Sequence, residues 1–336
     1  MRVTGLVGVV ACGVFASWLA HAAPASVQLP GGERGIGFDD LRFDAGLRQV
    51  LAPAGGTGNL DLVDPKTGAV TAIAGFSRTA GGGDGHGHGV TSVDSGEGWL
   101  FATDRTAREI LVIDPRARKI VAGAGLASGP DYVRYVAATR ELWVTQPGED
   151  HIEVFTLSAD KPPKPKHAAF ISIRGGPESL VIDGKRGRAY THRWKRDTLA
   201  VDLRTRRIVA TWAAGCAAPR GIALDEPRGF LLVGCEAGEA TVLDVDHDGK
   251  LLSTAKSVRG VDIIAYDPAR RHLYLPGEDS ATMAILGVSD RGVLTVVDTL
   301  PTVAGAHCVT TDGAGMVYVC DPAHGRLLVL RDSHAP

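Results

Sequence analysis

The chain has 336 residues, with 36 Lys and Arg against 38 Asp and Glu and a formal net charge of −2. This balance excludes a nucleic-acid binder that works through bulk positive charge. Hydrophobic residues make up 44% and charged residues 22%, as in ordinary globular proteins, which excludes extensive disorder. Glycine stands out at 43 residues, beside 18 prolines and three methionines, a composition that predicts many short strands joined by tight turns.

Residues 1–22 read as a secretory signal. Arg2 gives a positive start, Val3 to Leu19 is apolar apart from Thr4 and Ser17, and Ala20-His21-Ala22 supplies an A-x-A cleavage site ahead of Ala23. Val9-Val10-Ala11-Cys12 also resembles a bacterial lipobox, so lipidation at Cys12 is the alternative processing. No later segment approaches the roughly 20 apolar residues that a membrane-spanning helix needs. Residues 23–336 are therefore expected to form a single exported domain, periplasmic or secreted, monomeric and without a membrane span.

From there the chain repeats one template seven times. In chain order the first strands and their turns read GFDDLRFDAG, HGVTSVDSGEG, GPDYVRYVAATR, GPESLVIDGKRG, APRGIALDEPRG, RGVDIIAYDPARR and GAHCVTTDGAG. Second strands follow as QVLAP, WLFATD, ELWVTQ, RAYTHR, FLLVGC, HLYLPG and MVYVCD, and third strands such as EILVIDPRAR and TLAVDLRTR come next. Asp131, Glu178, Arg220, Asp262 and His307 recur at equivalent places, 47, 42, 42 and 45 residues apart. A period of this length with three or four β-patterned strands predicts an all-β, seven-bladed β-propeller. Alternating apolar residues such as Leu231 and Val233 would bury blade faces against each other. The extended piece Ser26 to Leu29 precedes the first repeat, and the seventh ends near Arg331. Placing that piece as the outer strand of the last blade would close the ring.

Second strands such as LYLPGED and MVYVCDP, after Asp-Pro or Asp-Gly turns, make the chain resemble the YncE-like, YVTN-repeat seven-bladed propellers over roughly residues 26–331. No repeat spells YVTN, and the second blade has a glycine-rich lead-in that the usual repeat lacks. The resemblance implies an exported bacterial binding scaffold and brings no agreed catalytic residues, so function has to be argued from the site.

In a propeller the innermost strands line a central channel. Aligning their starts gives a ring of Asp39, Gly89, Asp131, Glu178, Arg220, Asp262 and His307, to which the loop Asp84-Gly85-His86-Gly87-His88 adds two imidazoles. Converging carboxylates repel unless a cation, a proton or Arg220 relieves them. One reading is a divalent transition metal held by His86, His88 and His307, with Asp39 or Asp262 as a further partner. A second is an organic ligand gripped by Asp39, Asp131, Glu178, Arg220 and Asp262, and a third is a purely structural ring.

Four cysteines remain after Cys12. Cys308 and Cys320 flank the turn 312–315 symmetrically, while Cys216 precedes the first strand of blade five and Cys235 ends its second. The pairs Cys216–Cys235 and Cys308–Cys320 are expected in an oxidising compartment; the rival use is a thiolate metal site with Cys308 or Cys320 beside His307. The expected function is non-catalytic binding of a small molecule, a metal ion or a periplasmic protein at the channel mouth. The alternatives are a metal-assisted hydrolase or lyase with Glu178 or His307 as base, and a protein-interaction scaffold.

Overall fold

A computed structural model describes residue 1 and residues 25–79 and 87–336. The 1–22 signal, Cys12 and His86 lie outside the described residues. Seven four-stranded antiparallel sheets follow one another, and among the described residues the only helical pieces are two 3₁₀ turns, Pro147–Glu149 and Val245–His247. The innermost strands are Arg42–Asp44, Val90–Gly96, Val133–Val136, Pro177–Asp183, Pro219–Asp225, Ala265–Asp267 and Val309–Thr311. The expected closure is present: Ala25–Gln28 pairs antiparallel with Arg326–Arg331, Val27 opposite Leu327, as the outer strand of blade seven. One sheet edge is thereby covered at the seam where the ring joins itself.

Side-chain alternation holds the blades together. In Phe230–Cys235, Leu231, Val233 and Cys235 pack with Tyr190 and Ala200 of blade four. Phe230 and Leu232 point the other way, toward Val261, Leu273 and Leu275 of blade six. Each such fully buried aliphatic side chain contributes about 1.5–3 kcal/mol. Trp143 is wholly buried.

The repeated Asp of the template acts at the hairpins. Asp114 Oδ1 accepts hydrogen bonds from the backbone N–H of Arg116 and Ala117, and Asp183, Asp225 and Asp267 cap their own turns in the same manner. An Asx turn of this kind supplies the acceptor that the tight reversal otherwise lacks. No helix among the described residues is long and apolar enough to cross a membrane.

Candidate ligand-binding site

Antiparallel pairing sets the start of each innermost strand beside the end of the second strand of the same blade. Five of the seven aligned starts, Asp39, Asp131, Glu178, Arg220 and Asp262, line one cavity of about 500 Å³. Blade two offers no side chain at its aligned position. A Cβ on Gly89 would lie 2.0 Å from the carbonyl oxygen of Gly55, and Gly89 holds φ +68°, so only glycine fits.

Arg105 fills the vacancy from the end of blade two's second strand. Its Nη2 donates to Asp39 Oδ2 at 2.9 Å and to Asp131 Oδ1 at 2.6 Å, and its Nε donates to the Pro130 carbonyl at 2.7 Å. Arg220 plays the same part across the ring: Nε donates to Glu178 Oε1 at 3.0 Å, and Nη2 lies 2.9 Å from Asp262 Oδ1. In blade order the mouth therefore reads acid, arginine, acid, acid, arginine, acid, histidine. Alternation of charge fails at one place, between Asp131 and Glu178. Glu178 is 2% exposed, and its second oxygen, Oε2, is buried without a hydrogen-bond partner.

Burial is the largest influence on all four ring carboxyls. Asp39 and Glu178 are pushed well above the usual carboxylate range, first by desolvation and next by the charge of Asp131. Asp131 and Asp262 are raised by burial as well, with Arg105 and Arg220 respectively opposing the shift most strongly. The Tyr132 hydroxyl is raised by burial and then by Asp262, Asp39, Asp131 and Glu178, so the phenol lies within the field of the whole ring. Tyr132 lines this cavity and also a second one of about 440 Å³ toward the other end of the channel. Beneath it, Arg134 stacks 5.1 Å from the Tyr132 ring and grips Asp40 with two bonds of 2.6 and 3.1 Å. Asp40 also accepts from Ser92 Oγ at 2.7 Å.

A second ring of residues, at the ends of the second strands, was not legible from the first-strand alignment. Arg105, Pro147, Trp194, Glu236 and Glu278 each follow immediately on a second strand, and all but Glu236 line the cavity. Aligning WLFATD-R, ELWVTQ-P, RAYTHR-W, FLLVGC-E and HLYLPG-E is the signal that finds them. Trp194, which by its place near a second strand, like Trp99 and Trp143, reads from the sequence as packing between blades, is instead 43% exposed, with the Arg220 guanidinium 5.0 Å from its ring. Glu236 accepts an ion pair from Lys195 at 2.6 Å.

The histidines lie differently. His307 is buried; Nδ1 sits 2.6 Å from the Gly305 carbonyl oxygen and Nε2 3.1 Å from that of Phe38. Its ring lies close enough to Asp262 and Glu278 for an imidazolium there to lower both carboxyls. His88 is exposed. His192, at the end of a second strand, is fully buried against Thr198 and pushed down to about 4 by desolvation. Among the described residues, the one group of three metal-ligating side chains whose ligand atoms all lie within 4.8 Å of one another is His307, Cys308 and Cys320. The two sulfurs of that group are joined in the disulfide Cys308–Cys320, and Cys216 is joined to Cys235, the two pairings expected from the strand pattern. Cys308 follows His307 and Cys235 precedes Glu236, so both cross-links brace the charged mouth. Their loops of 12 and 19 residues put each toward the low end of about 2–4 kcal/mol.

No protein-family model matches the chain, and no curated protein matches it in sequence. Solved structures do match in shape. A chain of the hydrazine synthase of Kuenenia stuttgartiensis superposes with a TM-score of 0.71 at 13% identity, covering 91% of this chain and 97% of that one. The β-propeller domain of Cps50 (Swd1) from Myceliophteria thermophila gives 0.71 at 12% identity, over 91% and 99%. A chain of a mitotic checkpoint complex gives 0.75 at 12% identity, over 99% of both. At such identities the likeness shows the propeller fold alone.

Proposed function

We propose that this propeller is a binding protein whose ligand enters the charged mouth and presents positive charge to it. The carrying observation is Glu178, buried on the cavity wall with Oε2 unpartnered. An acceptor in that state is costly unless a donor arrives to meet it. The charge count agrees: Asp39, Asp131, Glu178, Asp262 and Glu278 line the cavity against Arg105 and Arg220. The volume, about 500 Å³, suits a small molecule. Membership of the YncE-like group and export through the 1–22 signal belong to the same proposal. The repeat pattern supports the first; two disulfides and the absence of a membrane-crossing helix among the described residues are compatible with the second.

Calorimetric titration of the purified protein with small organic and inorganic cations tests the site. Saturable binding that disappears in Glu178→Gln is the expected result. Equal binding by the wild type and this variant, or preference for anions, overturns it. N-terminal mass analysis of protein recovered from outside the cytoplasm, expected to begin at Ala23, tests the export.

A further inference from the structure

The break in charge alternation has a direction and a chemistry. Arg105 already uses Asp131 Oδ1, and Arg220 already uses Glu178 Oε1. What the ring leaves over on this side is therefore one oxygen on each of two acids, not two oxygens on one. A guanidinium binds best as a flat fork to both oxygens of a single carboxylate, whereas an ammonium is a compact charge whose three N–H bonds can reach separate acceptors. The unpartnered Glu178 Oε2 asks specifically for an N–H donor, which a quaternary ammonium lacks. A bare metal ion fits poorly as well. Its ligand oxygens would have to crowd together, yet no three ring carboxylates come within 4.8 Å of one another among the described residues, and two guanidinium groups stand in the same ring.

Part of the cavity lining is apolar. Blade three supplies Pro130 and Pro147 beside Asp131, and blade four supplies Trp194 on the strand paired with that of Glu178. The two blades are pressed together here: a Cβ on Gly176 would lie 2.8 Å from the Pro147 carbonyl oxygen. Acids lining one cavity together with two prolines and a tryptophan are complementary to a cation carrying a carbon chain.

Building on the reading of the mouth as a cation site, we infer that it recognises a primary alkylammonium group, seated between Asp131 and Glu178 with its carbon chain against Pro130, Pro147 and Trp194. A free amine and a lysine side chain share this chemistry. Burial and the charge of Asp131 raise the Glu178 carboxyl, and a seated cation favours its ionised form, so binding is coupled to the loss of any proton the carboxyl holds. Affinity then rises with pH until the amine itself deprotonates, near 10.

The test is calorimetry on the mature protein with n-butylamine, its N,N,N-trimethyl analogue, butylguanidine, calcium and zinc chlorides, and Nα-acetyl-lysine amide, each in two buffers of different ionisation heat. Butylamine is expected to bind at least 10-fold more tightly than the trimethyl and guanidine analogues, with proton release. Asp131→Asn and Glu178→Gln should each weaken it at least 10-fold, with melting transitions confirming that both variants are folded. Trp194→Ala should weaken butylamine more than methylamine. Tighter binding of the lysine amide than of butylamine supports the inference with a protein lysine as the source, and the reverse order supports it with a free amine. Equal binding of the trimethyl analogue, or metal binding that excludes butylamine, overturns the ammonium assignment and leaves the mouth a cation site. Failure of every cation to bind overturns both.

Discussion

The two ends of the central channel are built from the same seven strands and share little else. Where the innermost strands begin, the wall is Asp39, Asp131, Glu178, Arg220 and Asp262, completed by Arg105. Toward the other end it is Leu41, Phe43, Val181, Ile222, Leu224 and Ile264. Between them Tyr132 and the Arg134–Asp40 pair form a partition. That second end also carries the hairpins between first and second strands, with turns capped by Asp183, Asp225 and Asp267. Each of these Asp residues accepts from a backbone N–H of its own turn, and Asp183 and Asp225 also pair with Arg186 and Arg228 of the same turns. At the charged mouth carboxylates face each other and two arginines, and Glu178 keeps its buried Oε2 without a donor. Identical strand geometry thus separates into a face of capped turns and the charged face at which we propose a ligand binds.

The sharpest way to break this contrast is at the partition. Arg134→Ala would leave Asp40, 2% exposed, as a buried charge bonded to Ser92 alone. A loss of about 3–5 kcal/mol is expected in denaturant unfolding. Adding Asp40→Asn should recover most of it, because the uncompensated charge is then gone. Arg105→Met at the mouth should cost less, since its side chain is 20% exposed and water can replace part of what is lost.

Next in size is a buried acid that no ligand at the mouth can relieve. Asp61 is fully buried with neither oxygen hydrogen-bonded, and burial pushes it up to about 7. It shares a strand face with Val63, which packs with Tyr318 and Leu327 of blade seven at the ring's seam. Its folded value lies above the unfolded value near 3.9, so the folded state holds the proton that the unfolded state has lost. Stability present at low pH is therefore given up as pH rises toward 7. Relative to Asp61→Asn, the wild type should lose about 2–3 kcal/mol between pH 5 and pH 8. Parallel pH profiles for the two proteins would remove Asp61 as the source.

The propeller itself was readable because every blade pays for burial in the same way: apolar residues alternate and an Asp turn follows, so the period survives divergence. Asp39, Asp131, Glu178, Arg220 and Asp262 were legible for the same reason, as equal steps along that period. Arg105 was not, because Gly55 denies Gly89 a side chain and the replacement charge comes from another strand. Trp194 reads as an inter-blade packing residue because exposure of a tryptophan depends on what the neighbouring blade offers, here Arg220. The partition at Arg134 was hidden too. It sits mid-strand in DYVRYV, where an arginine reads as a solvent-facing residue unless the channel's interior is already known.

Glu178→Gln sharpens the contrast at the mouth. The wild-type carboxyl is raised well above its usual range by burial, so it destabilises the unliganded protein progressively above about pH 4.3, its unfolded value. Arg220 on Oε1 offsets part of that cost. The Gln variant should melt higher than wild type at pH 8 and equally at pH 4. A cation bound at the mouth should narrow the pH 8 difference, while leaving the Asp61 contribution untouched. A ligand that flattened both would show that the two acids are not independent.

The smallest expected effect lies on the turn-bearing face. Arg118 is exposed and holds φ 56° in the turn capped by Asp114, a left-handed conformation that costs a residue with a Cβ about 1–2 kcal/mol. Glycine removes that strain and gives back part of the gain as entropy of the unfolded chain. Arg118→Gly should therefore raise stability by about 0.5–1 kcal/mol in denaturant unfolding. Calorimetry at the charged mouth should be unchanged, because the substitution touches neither the ring nor the partition. A change in affinity at the mouth would mean that the two faces are mechanically coupled through blade two, most directly through the strand that ends in Arg105.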